Sequence, residues 1–459
     1  MEQDIFERIL ASTLNRRQAL KTGLGAAAGF TLAACGASQA VGQQAKSIKL
    51  LASDLPPFLQ ANKYWAAQAK SRLGIDIAIE PQPYGNLFAK ATAAWIAGTA
   101  DFDLIIVANQ WTGEWAQAGL LENLDSYVQS DSGLKKDDFI QRSWESTGSW
   151  KGRDGQQHQY EIPFNSEGRI RFYRTDLFEK AKRTVPTSFP EYLDTLKFFK
   201  NNAAFPNIYG SVEMFGKEQG PAIVHELYQS LFPFSSVKTS NGWWDDNFQV
   251  IMDEGLVAQA IKMINSILPY QPGGVQAYNL PEAINFFEAG TAAMTEVWPS
   301  VYGATLTSGT KLPGKVGASP VLSATVGGPS KPFLGGWGMA INAKSSTDRK
   351  QAAWQFIKLS TSTEAERHDW ESYARGPSRK SVYNDPDLQK KSFWLKAMGE
   401  AAANGVNAGR IKGMADFYGG DFWVTCNQGM VGSISPEKAA SGMKKALVDL
   451  LTKNGYPQK

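Results

Sequence analysis

Three short apolar runs constrain this chain more than any other feature: SIKLLAS (47–53), the middle of GIDIAIEPQPYG (74–85) and the middle of DFDLIIVANQW (101–111). Each is too short for an ordinary helix, rich in Ile, Leu or Val, and bounded by Gly, Asp, Pro or Asn, so each predicts a strand. Between them, NKYWAAQAKSRL (62–73) and NLFAKATAAWIAG (86–98) space their apolar residues as helices do, and EWAQAGLLENLDSYVQ (114–129) adds a third helix. Parallel neighbours need a long crossover, so this β-α-β-α-β-α order predicts a mainly parallel sheet with helices on both faces. Ligands of such sheets sit beyond the carboxyl ends of the strands. Asp54, Tyr84, Asn109, Gln110 and Trp111 all follow strand ends and are candidates for ligand contact.

A chain of 459 residues exceeds one compact core and fits two lobes. HQYEIPFNSEGRIRFYRTDLFEKA (158–181) reads as an extended crossing, a strand and a helix start. A mostly helical region follows, with FPEYLDTLKFFKNN and PAIVHELYQSLF, up to INFFEAGTAAMTEVWPS (284–300). SKPFLGGWGMAINAK (330–344) then returns to strand, and TDRKQAAWQFIKLS (347–360) is an amphipathic helix. With no internal repeat and no long low-complexity linker, the lobes are expected to be interwoven. Trp95 and Trp354 lie on apolar helix faces and belong in the core, while Trp243-Trp244 of NGWWDDN is expected to pack in a hairpin.

The N-terminus reads as an export segment. Arg16-Arg17 precede the mild apolar run GLGAAAGFTLAA, which ends in LAAC at Cys35 and is too short to span a bilayer as a helix. That ending resembles a bacterial lipobox, which makes Cys35 the lipidated first residue of a mature chain tethered to a membrane outside the cytoplasm. The paired arginines resemble a twin-arginine signal, from which Asn15 and Ala19 depart. Residues 1–34 are thus read as signal and 35–47 as tether. Cys426 is the second of two cysteines, so no disulfide framework exists.

Charge and composition narrow the ligand. Residues 1–34 hold four basic and three acidic side chains, which leaves 43 Lys and Arg against 41 Asp and Glu, in no long runs of one sign. Nucleic acid and anionic membrane surfaces are therefore poor partners. His158, His225 and His368 lie far apart, without HExxH spacing or neighbouring cysteines, which argues against a zinc site and leaves no metal or cofactor expected. No G-x-S-x-G elbow or P-loop is present, and GGPSKPFLGGWG lacks the Lys-Ser/Thr ending of a phosphate cradle. An exported glycoside hydrolase is the competing enzymatic reading, with a carboxyl pair such as Glu167 and Glu296. The 14 tryptophans suit an apolar or sugar-like ligand better than a metal.

Several stretches, in order along the mature chain, resemble the extracellular sugar-binding proteins of ABC importers, the family of the maltodextrin-binding protein. They are DFDLIIVANQWTGEWAQAGLLENLD, YEIPFNSEGRIRFYRTDLFEKA, FFEAGTAAMTEVWPS, SKPFLGGWGMAINAKSSTDRKQAAWQFIKLSTS and ARGPSRKSVYNDPDL. The resemblance implies an α/β, type II periplasmic-binding-protein-like fold: two interwoven lobes, hinge crossings near 161–164, 332–336 and 374–378, and a ligand in the cleft. The lobes are then 48–162 with 335–375, and 163–334 with 376–459. It further implies a monomer, without enzymatic activity, that closes on a carbohydrate and delivers it to membrane permease subunits. Trp111 and Trp298 match places where the family presents side chains to the cleft. Asn165 and Glu167 lie beside the first crossing, and Arg375 and Arg379 flank the third, with Arg375 preferred as a ligand contact.

GGWGMAINAK (335–344) gathers these expectations. Gly335 and Gly336 fall in the second crossing, where small residues permit unusual backbone angles and close approach of a ligand. Trp337 follows at once and is anchored by the alternation GMAINA, so its ring is expected to stack on the ligand opposite Trp298.

Overall fold

The computed structural model describes residues 44–458, apart from 99–100, 153, 201, 238, 240, 300–311, 313 and 407–408. The expected signal, Cys35 and most of the tether lie outside the described residues. Strands β1 (Ser47–Ser53), β2 (Asp76–Gln82) and β3 (Leu104–Ala108) alternate with helices Pro56–Leu73 and Tyr84–Ile96, as the apolar runs predict. A small hairpin of β4 (Ser149–Lys151) and β5 (Gln157–Gln159) precedes β6 (Ile162–Gly168) and β7 (Ile170–Arg174); β8 (Met294–Val297), β9 (Val316–Ser319) and β10 (Leu334–Ile341) follow the helical region.

One sheet has the order β2-β1-β3-β10-β6. β1 is parallel to β2 and to β3, whereas β10 runs antiparallel to both β3 and β6. β2, β1, β3 and β6 thus all run the same way, as the expected mainly parallel sheet requires, and β10 alone makes the sheet mixed, since that segment returns from the second lobe and enters between β3 and β6 in the opposite sense. Side-chain alternation decides its two faces. Leu50, Leu104, Ile106, Met339 and Ile341 pack with Trp65 and Trp354 on one side, and Leu51, Ile105, Val107 and Ala340 pack with Leu87 and Trp95 on the other.

The second lobe is built on the antiparallel sheet β8-β7-β9 and is covered by helices, among them Pro221–Leu231, Glu254–Ile267, Asp421–Met430 and Pro436–Lys453. Trp243 and Trp244 are buried here: Trp243 stacks on Tyr228 at 4.2 Å, and Trp244 bridges Val250 across a tight hairpin.

The expected change of lobe between 162 and 163 falls inside β6, which stays paired with β10 as far as Gly168 before β7 begins in the other sheet. The first two crossings are thus neighbouring hydrogen-bonded strands, with Leu334 opposite Gly168 and Arg169 N–H donating to the Phe333 carbonyl at 3.2 Å. Gly168 is required by space, because a Cβ there would stand 2.8 Å from Ala401 Cβ and 2.9 Å from its carbonyl oxygen. Among the described residues, no helix is long and apolar enough to cross a membrane.

Candidate ligand-binding site

The strand ends converge. Leu55 and Phe58 follow β1, Tyr84 follows β2, and Asn109 and Gln110 follow β3; because β10 is antiparallel to β3, Trp337 comes to lie opposite Ala108 at the same edge. These residues form one wall of a cavity of about 300 Å³. Trp337 stands half-buried, edge-on to Phe58 at 5.3 Å and to Tyr84 at 5.6 Å, so its orientation is fixed by aromatic packing. Asn109 N–H donates to the Gly336 carbonyl at 3.0 Å and locks the loop after β3 to the start of β10.

The facing wall comes from the second lobe. Trp298 follows β8, Phe333 precedes β10, and Tyr418 and Trp423 come from the short helices Met414–Gly419 and Asp421–Met430. Trp298 and Phe333 meet edge-on at 5.9 Å, and Tyr418 and Trp423 at 5.1 Å. Glu167 of β6 completes the floor, and Asn165 Nδ2 donates to its Oε1 at 3.2 Å.

Neither Gly335 nor Gly336 adopts the left-handed backbone expected of them; both are extended residues of β10. Crowding weighs against a side chain instead, severely at Gly336 and tightly at Gly335. A Cβ on Gly335 would stand 3.1 Å from Trp298 Nε1, and one on Gly336 would stand 2.8 Å from Thr147 Oγ1. Trp298 thereby tucks its indole N–H against the crossing, buried and without an acceptor among the described residues.

Two apolar walls from different lobes, with a few amides and carboxylates between them, describe a binding cleft. The family model of the bacterial extracellular solute-binding proteins matches residues 52–367, which include the first wall and Trp298 and Phe333 of the second. The chain belongs to that family. A solute-binding protein of an ABC transporter from Agrobacterium radiobacter, solved with ribitol, is 26% identical with a TM-score of 0.73, over 89% of this chain and 98% of that one. Maltose-bound MalE3 from T. maritima shares the fold with a TM-score of 0.76 at 22% identity, over 88% of this chain and all of the other. A probable ABC transporter-binding protein from Deinococcus radiodurans is 24% identical over 249 residues, which are 53% of this chain and only 57% of that relative. The type II periplasmic-binding-protein fold expected from the sequence is thus the observed one, and the family is one of binding proteins, not enzymes.

Within this solute-binding protein, the cavity gathers Tyr84, Asn109, Glu167, Trp298, Gly336 and Trp337 from the expected set. Four others stand elsewhere. Trp111 is buried behind Tyr84, which stacks over it at 5.4 Å, because the helix that starts at Thr112 turns the indole into the core. Asn165 is fully buried and reaches Glu167 rather than the cavity. Asp54 is exposed and does not line the cavity; its N–H donates to the Gln82 carbonyl at 2.9 Å. Arg375 is fully buried, paired with Asp369 at 2.8 Å, bonded to the Phe164 carbonyl and laid over the Phe164 ring at 4.1 Å; it pins the third crossing. Arg379 does the same nearby through the carbonyls of Thr361 and Leu134.

Sequence reasoning did not pick out Phe58, Glu218, Gln219, Phe333, Tyr418 or Trp423 as contacts. Phe58 and Phe333 stood beside the predicted β1 and second crossing and were findable. Tyr418 and Trp423 lie on helices whose approach to the cleft depends on packing of the whole second lobe.

Behind Trp298 lies a buried ionic cluster. The Arg169 guanidinium sits over the Trp298 ring at 5.3 Å, 2.6 Å from Glu226 and 3.4 Å from Glu296; Arg171 pairs with Glu296 and lies 4.0 Å from Glu213. Glu226 also accepts from the Phe333 N–H at 2.8 Å, which ties the cluster to the crossing. Burial raises Glu226 well above the ordinary carboxyl range and lifts Glu213 to about 7, whereas at Glu296 the two arginines overcome burial and pull it down to about 2. Glu296 is thus committed to ion pairs and does not line the cavity, so the carboxyl pair imagined for hydrolysis does not form.

Proposed function

We propose that this protein is an exported, membrane-tethered receptor that captures a sugar or polyol between its lobes and delivers it to the permease subunits of an ABC transporter. The observation that carries the reading is the pair of aromatic walls, Trp337 with Tyr84 and Phe58 against Trp298 with Phe333, across a cavity of about 300 Å³. Aromatic faces cover the C–H groups of a sugar ring or carbon chain, while Asn109, Gln110, Gln219 and Glu167 supply directional partners for its hydroxyls. The ribitol complex of the Agrobacterium radiobacter relative supports a polyhydroxylated ligand. Lobes assigned as 48–162 with 335–375 and 163–334 with 376–459, adjusted so that β6 moves with β10, pivot about the paired strands β6 and β10 and the segment 374–378. A ligand closes the lobes only through its greater affinity for the closed form. Lipidation of Cys35 holds the monomer at the membrane.

Thermal melts of residues 36–459 against a panel of sugars and alditols test this. At a hundredfold excess over the dissociation constant, the cognate ligand stabilises the fold by about 2.7 kcal/mol. The ligand must be recovered unaltered. Turnover of the bound sugar favours the glycoside hydrolase reading, and no shift with any member of the panel refutes the receptor.

A further inference from the structure

The charge of the cavity is one-sided. Two carboxylates, Glu167 and Glu218, line it, and no Lys, Arg or His does so among the described residues. Glu167 is only 6% exposed and is oriented by Asn165, whereas Glu218 stands at the exposed rim. The Arg169 guanidinium stands 5.3 Å from the Trp298 ring but does not line the cavity, and its charge is already paired with Glu226 and Glu296. The rest of the surface is aromatic, and ring faces carry negative charge density in their π systems.

Carboxylate and π faces act on a ligand in the same direction. An anionic group, whether a uronic acid or a sugar phosphate, meets like charge with no cationic side chain to offset it among the described lining residues. A neutral polyol already gains hydroxyl bonds to the carboxylate and C–H contact with the rings; a cation adds charge attraction to both, and this added part is largest where water is excluded. Discrimination comes as much from what the site repels as from what it attracts.

We infer that the preferred ligand is an amine-bearing sugar or polyol whose protonated nitrogen sits beside Glu167 against the Trp298 and Trp337 rings. The inference rests on the receptor reading above and narrows its substrate class. Glu167 is then the residue that sets specificity for charge, and the lining amides Asn109, Gln110 and Gln219 serve the hydroxyls common to neutral and aminated ligands.

Matched pairs separate the two readings: glucosamine with glucose, glucamine with sorbitol, and chitobiose with cellobiose, titrated by calorimetry at slightly acid pH, with N-acetylglucosamine as the uncharged amide control. In at least one pair the amine binds tenfold or more tightly than its neutral partner. That ratio of the two affinities falls below threefold in Glu167→Gln and in high salt, whatever loss the variant imposes on both members of a pair alike. If Glu167→Gln does not fold, the salt dependence and the weaker rim effect of Glu218→Gln carry the same comparison. Neutral members binding as well as or better than their amines overturn this inference and leave the receptor reading intact. No binding by any member of any pair overturns both.

Discussion

Replacing Trp337 by Ala removes the ring that the geometry sets against the ligand. Two losses follow, and they differ in size. The side chain is half-buried among Phe58, Tyr84 and Trp111, with ring separations of 5.3, 5.6 and 5.9 Å. Full truncation of a core Trp costs about 3–5 kcal/mol, so a half-buried one costs the fold about 2 kcal/mol. Its exposed part faces the cavity from β10, an interior strand of the five-stranded sheet held between β3 and β6, where its position is fixed before ligand arrives. An anchoring aromatic of this kind is worth about 2–4 kcal/mol in binding, or roughly a 30- to 700-fold loss of affinity. Calorimetry of the variant measures the second loss and chemical denaturation the first. Trp337→Phe keeps an apolar face and falls between wild type and Ala in affinity. Trp354→Ala is the control: Trp354 is 3% exposed and packs on Tyr127 away from the cleft, so that variant loses stability without specific loss of affinity. Near-normal affinity in a clearly destabilised Trp337→Ala protein would show that the ring serves packing alone and would refute the platform.

Further outcomes follow from other contacts. Arg410 donates to the carbonyls of Glu145 at 2.6 Å, Thr147 at 3.4 Å and Ser149, in and beside the π-helical turn Trp144–Gly148 of the first lobe, while Glu114 accepts from Ala415 N–H at 3.3 Å. These bonds seat the helix that carries Tyr418 against the first lobe. Charged hydrogen bonds are worth about 1.5–3 kcal/mol, so Arg410→Met lowers ligand affinity by about ten- to a hundredfold and raises the radius of gyration of the unliganded protein in small-angle scattering; an unchanged radius counts against a closing role. Stability peaks between two limbs of pH. Glu213, raised to about 7 from an ordinary 4.5, stabilises fully below 4.5 and loses that contribution as pH rises through 7; His225, depressed by burial to about 3 from 6.5, stabilises above 6.5 and loses its contribution as pH falls through 3. Melting temperatures across this range trace the dome, Glu213→Gln flattens the alkaline limb, and a wild-type melting temperature still rising at about pH 9 contradicts the assignment. Cys35→Ser releases the protein from the membrane fraction with ligand binding intact; if both forms fractionate as soluble, the tether is wrong.

Local patterns carried the first lobe well. SIKLLAS, DIAIEPQ and LIIVA are strands at nearly the expected limits, because short β-rich runs between helical segments have few other ways to bury both faces. The place of β10 between β3 and β6 was not legible, since it depends on pairing between residues more than about 160 positions apart in the chain. For the same reason Trp111 and Arg375 misled. Each stands at a correct strand end or crossing, but the direction of a side chain there is set by the helix start at Thr112 and by Asp369, neither of which sequence spacing reveals. The glycines before Trp337 were expected to serve unusual backbone angles, and the structure gives them another physical reason. Trp298 and Thr147, distant in sequence, crowd the place of a Cβ, and the backbone itself is ordinary.

The central claim is that ligand lies between the two aromatic walls, and a crystal structure of the complex with the tightest-binding sugar, polyol or amine derivative tests it most directly. Ligand density is predicted between Trp337 and Trp298, with a polar group of the ligand within hydrogen-bond distance of Glu167 and Asn109. Density for a saturating ligand anywhere else on the molecule, with this cavity left to solvent, would contradict it.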